Sequence, residues 1–174
     1  MKSFLTDNVL KILIVFFSTI IFAIYLVWTK IEDTAPALTA LNKGIKTIAG
    51  DTLKINSKNL LAVVIFSPMD CWKCLREIDV LNQLYSDFSG KLSIIGVVRS
   101  PNIIILKRFV TNRAIKFPVV FDSTGSLSQK FFGNLNYPHK LFFKYGELIR
   151  YEMLGVSKDS ESENELILWI KSHI

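Results

Sequence analysis

The sequence predicts an α/β domain, a mixed central sheet with helices on both faces, preceded by one N-terminal transmembrane helix. Three observations predict it. A seven-residue apolar run at 60–66 is followed directly by helical periodicity, strand-like and helical stretches then alternate to the C-terminus, and residues 12–28 carry no charge. These features divide the 174 residues into an anchor (1–30), a tether (31–43) and a folded domain (44–174).

The anchor comes first. ILIVFFSTIIFAIYLVW, residues 12–28, lies between Lys11 and Lys30. At about 1.5 Å per residue it reaches roughly 26 Å as a helix, near the lower limit for a bilayer core, and Val9 and Leu10 extend it. Ala35-Pro36-Ala37 has the small-x-small look of a signal-peptide cleavage site, but Lys30, Glu32 and Asp33 separate it from the apolar run, so an uncleaved anchor is expected. Lys2 and Lys11 precede the span, whereas Glu32 and Asp33 follow it. The positive-inside bias therefore puts the amino terminus in the cytoplasm and the domain outside, in the periplasm or extracellular space. The expected location is the cell membrane, with a single pass through lipid at 12–28.

Residues 31–43 have small side chains, one proline and little periodicity, as a tether does. GIKTIAGDTLKI, residues 44–55, shows two short alternating runs about Ala49-Gly50-Asp51 and predicts a hairpin. Leu60 to Phe66 suits a strand covered on both faces. Beyond Ser67-Pro68, the positions Leu75, Ile78, Leu81, Leu84 and Phe88 recur at helical spacing, so Cys71 and Cys74 fall at a helix start.

That placement carries the chemistry. A thiolate attacks a disulfide, and the unpaired amides and positive dipole end of a helix N-terminus favour the charged sulfur. Cys71 is the expected nucleophile. Cys74, one turn further on, is within reach to resolve a mixed disulfide on Cys71. Lys73 adds positive charge, while Asp70 either opposes it or caps the helix. No other cofactor than this redox-active Cys71-Cys74 disulfide is expected.

Gly90 stops the cysteine helix, and Lys91–Val98 reads as a strand. The stretch from Asn102 to Ile115 mixes strand-preferring isoleucines with a helical stripe; it is assigned as helix because a crossover must precede the next parallel strand. Strand Pro118–Asp122, helix Ser126–Phe132, loop Gly133–Tyr137, strands Lys140–Lys144 and Leu148–Leu154 joined at Tyr145-Gly146-Glu147, and helix Glu163–Ser172 complete the chain. No internal repeat or low-complexity segment is visible.

Composition excludes several classes. The net charge is +6, but Lys and Arg are scattered among acids with no dense basic run and no phosphate-cradling glycine loop, so no nucleic-acid partner is expected. A structural zinc site would need both cysteines and both histidines, His139 and His173. Leu75 after Cys74 rules out the haem-attachment motif CxxCH. The aromatic residues read as core and rim.

The hairpin before the first core strand, the strand leading into FSPMDCWKCLREI, the PVVFD strand with its short helix, NYPHKLFF before a hairpin, and a final helix together resemble the thioredoxin-like fold. More narrowly, from about Gly44 onward the chain resembles the membrane-tethered thiol-disulfide oxidoreductases of the TlpA type, within the wider redoxin group that includes the peroxiredoxins. The resemblance implies a cis-proline facing the cysteines, matched by Pro138, and a substrate groove to which Tyr137 and Trp72 belong. It further implies partners that are protein thiols or disulfides outside the cytoplasm, and a membrane redox partner that recycles the pair.

The pattern departs from the family at two places. Asp70 stands where a tryptophan often precedes the first cysteine, and His139 follows the proline where threonine is common. Peroxiredoxins carry Thr or Ser three residues before the reactive cysteine; here that residue is Pro68, which weakens a peroxide-reductase alternative. Copper chaperones of the Sco type share the fold and use two cysteines with a histidine, which makes Cys71, Cys74 and His139 an alternative metal set; their cysteine spacing is three, not two. An interaction module with an inert CxxC is a third possibility.

Overall fold

The structure is a computed structural model that describes residues 16–22, 38, 41, 44–56, 58–70, 72–132, 138–153 and 160–174. For residues 72–74, 132 and 160–162 it describes the backbone alone. By compactness the chain divides into two units, Met1–Asp33 and Thr34–Ile174. Of the expected membrane span, residues 16–22 are described; they are helical and exposed. Among the described residues no helix is long and apolar enough to cross a membrane, and the rest of the span lies outside them.

Strands β1 (Leu60–Phe66), β2 (Leu92–Arg99), β3 (Val119–Asp122), β4 (His139–Lys144) and β5 (Glu147–Met153) form one sheet in the order β3-β2-β1-β4-β5. The helices are α1 (Trp72–Asp87), α2 (Ile103–Asn112), α3 (Ser126–Phe132) and α4 (Ser160–His173). β1, β2 and β3 run parallel, while β4 is antiparallel to β1 and to β5. This is the mixed sheet that the alternation of strands and helices predicts, in the thioredoxin-like arrangement that the resemblance implies.

β1 is buried along its whole length, as an unbroken apolar run requires. Its even residues Ala62, Val64 and Phe66 pack with Ile78, Leu81 and Leu84 of α1, Leu106 of α2 and Ile170 of α4. Its odd residues Leu61, Val63 and Ile65 pack with Leu127 and Phe131 of α3. Leu38 and Leu41 join this second cluster, so the packed chain begins upstream of Gly44, inside the stretch read as a tether.

The ambiguous stretch after Pro101 is helical. Asn102, with extended backbone, accepts the Ile104 N–H on Oδ1 at 2.7 Å, and this cap overrides the strand preference of the three isoleucines. Gly96 lies where a Cβ would come within 3.2 Å of the Phe117 ring and 3.3 Å of Phe66, so only glycine lets the rings close over β2. At the β4-β5 turn Tyr145 and Gly146 both have positive φ, the tight form that matches strand twist.

The expected 44–55 hairpin is reduced to a turn with one isolated bridge, Lys46 to Thr52. Thr47 N–H bonds Asp51 O, Gly50 N–H bonds Thr47 O and Leu53 N–H bonds Ile45 O, so the two arms pair briefly across the expected turn. The predicted 133–137 loop and Leu154 lie outside the described residues.

Candidate active site

The site is built at the carboxyl ends of the parallel strands, where open α/β sheets hold their ligands. β1 ends at Phe66, and the next four residues fold on themselves. Ser67 N–H donates to Asp70 Oδ2 at 2.6 Å, Asp70 N–H to Ser67 O at 3.1 Å, and Met69 N–H to Ser67 Oγ at 3.2 Å. The described bond of the Asp70 carboxylate runs back to the loop. Burial pushes the Asp70 carboxyl up from its ordinary value, against the opposing effects of the Ser67 amide and the Arg99 charge.

Cys71 lies outside the described residues; in the chain it joins Asp70 to Trp72, the first residue of α1. Cys74 is in the first turn of α1. The side chains of Trp72 and Cys74, and all of Tyr137, are likewise outside what is described, as is the Tyr137–Pro138 peptide bond.

The antiparallel pairing of β4 sets His139 opposite Ile65, two residues before Ser67. Pro138 and His139 consequently line the same cavity as Ser67 and Asp70, with a volume of about 390 Å³. Arg99 at the end of β2, Ser100 and Pro101 after it, and Ser123, Thr124 and Gly125 after β3 also line it. The structure therefore brings Pro138 and His139 to the same cavity as the residue that immediately precedes Cys71.

His139 is 2 % exposed. Its Nδ1 is 2.9 Å from the Tyr151 hydroxyl, and the two rings lie 5.3 Å apart. Burial holds the imidazole below its ordinary value, so it is neutral at physiological pH. Among the described residues no cluster of three His, Cys, Asp or Glu is arranged to hold a metal ion; the cysteine members of the Cys71, Cys74, His139 set lie outside that search.

Several residues of the site escape sequence reasoning. Asp122 is buried at the end of β3 and caps α3, accepting N–H bonds from Leu127 at 3.2 Å and Ser128 at 2.8 Å and the Ser128 hydroxyl at 2.6 Å. The Asp-Ser-Thr-Gly-Ser composition was the available signal for such a cap. Gly125, with φ +76°, leaves room for Arg99, whose Nε would lie 3.0 Å from a Cβ there. Behind the site, Glu77 of α1, one turn beyond Cys74, forms a buried ion pair with Lys140 of β4. Lys140 also reaches Glu152 at 2.9 Å. Burial raises the Glu152 carboxyl, but the bonds and charges of Lys140 and Arg150 outweigh it and hold the group low. No periodicity in the sequence points to a lysine inside β4.

Comparison with known proteins adds the following. The chain resembles the secreted Mycobacterium tuberculosis disulfide oxidoreductase homologous to E. coli DsbE, with 16% identity and a TM-score of 0.59, covering 76% of this chain and 96% of that one. It resembles a putative thiol:disulfide interchange protein DsbE from Chlorobium tepidum, at 13% identity and TM-score 0.63, over 74% of this chain and 90% of that one. StoA from Bacillus subtilis gives 21% identity and TM-score 0.59, over 72% and 92%. At these identities the likeness is one of fold. No curated protein matches the chain. Residues 31–152 match the model of the AhpC/TSA family, well over half of the sequence, and the chain belongs to that family.

Proposed function

We propose that the protein is a thiol-disulfide oxidoreductase, tethered to the cell membrane by residues 12–28, that exchanges electrons with protein substrates outside the cytoplasm through Cys71 and Cys74. One observation carries the reading: the loop that delivers Cys71 to the start of α1 shares a cavity with Pro138 and His139 of the neighbouring strand. A substrate strand entering there meets the proline and the residue that immediately precedes the expected nucleophile. The family membership, and the resemblance to proteins titled as disulfide oxidoreductases, support the same chemistry.

In the reductive direction the Cys71 thiolate attacks one sulfur of a substrate disulfide, forming a mixed disulfide and releasing one substrate thiolate. The Cys74 thiolate then attacks Cys71 Sγ and releases the second substrate thiolate. The enzyme ends as the Cys71–Cys74 disulfide, having passed two electrons to the substrate, and a membrane redox partner supplies two more to restore the dithiol. Substrate oxidation is the same sequence reversed. Trp72, Tyr137 and Pro138 shape the groove, and no cofactor beyond the cysteine pair takes part.

The test is disulfide reduction by the full chain and its single variants. Cys71→Ser abolishes turnover, whereas Cys74→Ser accumulates a mixed disulfide with the substrate, visible on a non-reducing gel. Full activity in Cys71→Ser overturns the assignment of roles. Membership of the AhpC/TSA family favours peroxide reduction as a second reading; consumption of hydrogen peroxide with a thiol donor, dependent on Cys71 and independent of Cys74, would establish it instead. His139 lines the same cavity and is the support for copper binding with Cys71 and Cys74; a copper(I) titration of the reduced chain that shows no 1:1 complex removes that alternative.

A further inference from the structure

A second cavity shares no lining residue with the first and takes no part in the exchange proposed above. Its volume is about 620 Å³, inside the range of roughly 300–1,000 Å³ typical of small-molecule sites. It opens between the 46–52 turn, the end of α1, α2 and the segment leading into β3. Ile48, Val110, Ile115 and the rings of Tyr85 and Phe117 make its apolar walls. The two rings stand edge to face, 6.4 Å apart, and offer a surface suited to a flat aromatic body.

The walls are held by bonds that need no ligand. Ile48 N–H donates to Val119 O at 2.9 Å and ties the turn to β3. The buried Asn82 side chain donates to Ala114 O at 3.2 Å and accepts from Lys116 N–H at 2.8 Å, fixing the segment that carries Ile115 and Phe117. Thr47 lines the cavity as a residue, but its Oγ1 is closed off from solvent and stays out of reach of an occupant.

Charge selects the occupant. Lys54, Lys107 and Lys116 line the cavity, against the single described carboxylate of Asp51. An apolar, partly aromatic chamber with an excess of ammonium groups at its rim is complementary to an organic anion. We propose that this cavity binds a small aromatic carboxylate, its ring against Tyr85 and Phe117 and its acid group among the lysines.

The experiment titrates the full chain, held in lipid nanodiscs, with 2-naphthoate and follows the methyl resonances of Ile48, Val110 and Ile115. Saturable shifts at these methyls are expected, with those of Ile65 unmoved. The double variant Lys107→Gln/Lys116→Gln weakens binding about tenfold, the product of two exposed charge contacts, and the neutral 2-naphthamide binds the native protein weaker by a similar factor. Thr111→Trp, at an exposed position of the lining, blocks the mouth and removes the shifts. Absence of saturable shifts, equal affinity for naphthoate and naphthamide, or shifts indifferent to both variants overturns the proposal. Disulfide-reductase activity is unchanged in these variants, so this site and the redox site stand or fall separately.

Discussion

Lys140 and Glu77, 63 residues apart in sequence, meet inside the protein as an ion pair, 2 % and 5 % exposed. The pair fastens the first turns of α1 to the strand that follows Pro138. Removing one member strands a charge in a medium that solvates it poorly. Glu77→Leu is expected to cost about 3 kcal/mol, the low end for a broken buried pair because Glu152 still reaches Lys140. The double replacement Glu77→Leu/Lys140→Met should recover most of that loss. Urea unfolding of the three proteins checks both statements.

His139 makes the domain sensitive to mild acid. Its folded-state value lies below the ordinary 6.5 because of burial, so the unfolded chain takes up a proton that the folded chain refuses. The stability this neutral imidazole contributes is whole above about pH 6.5 and declines as the pH falls through the ordinary value toward the lower folded one. Urea midpoints measured from about pH 7.5 to about pH 5 should fall for the native chain and fall less for His139→Gln.

Asp70 acts in the opposite sense and at the reacting end. Its carboxyl is raised, so ionisation is resisted in the fold; the contribution to stability is greatest at low pH and is lost as pH rises through the folded value. Asp70→Asn removes that loss and also deletes the negative charge next to Cys71. The expected result is a Cys71 that alkylates with iodoacetamide at lower pH than in the native protein. An unchanged pH profile would show that Asp70 does not influence the thiol.

Gly96→Ala should be costly although it adds a single methyl. The new carbon would press on the rings of Phe117 and Phe66 and on Val119. Overpacking of this kind costs about 1–3 kcal/mol. Thermal unfolding monitored by circular dichroism is the measurement, and Gly146→Ala, where a Cβ meets nothing within 4 Å, separates crowding from the backbone strain expected at φ +88°.

Apolar patterning accounts for what was legible. β1, the helix after the cysteines, the PVVFD strand and the β4-β5 turn could all be read because burial on one or both faces dictates residue type at short range. The helical assignment of Ile103–Asn112 rested on topology, and the Asn102 cap supplies its local cause. The 44–55 hairpin forms only in minimal form, with one antiparallel bridge about the predicted turn, and alternation alone does not reveal how short its arms are. Arg99, Glu77 and Lys140 were invisible for a common reason. Each is a polar residue whose partner lies on another element, and no spacing rule connects positions that only the folded sheet brings together.

Leu41, with no exposed surface, and Leu38 sit under the sheet alongside Val63 and Phe143. A protein shortened to start at Gly44 would lose both plugs and leave a greasy hole in the underside of the sheet. Each missing leucine forfeits about 1.5–3 kcal/mol of burial, enough to turn a well-behaved domain into an aggregating one. Any soluble fragment intended for biochemistry therefore has to begin ahead of Leu38.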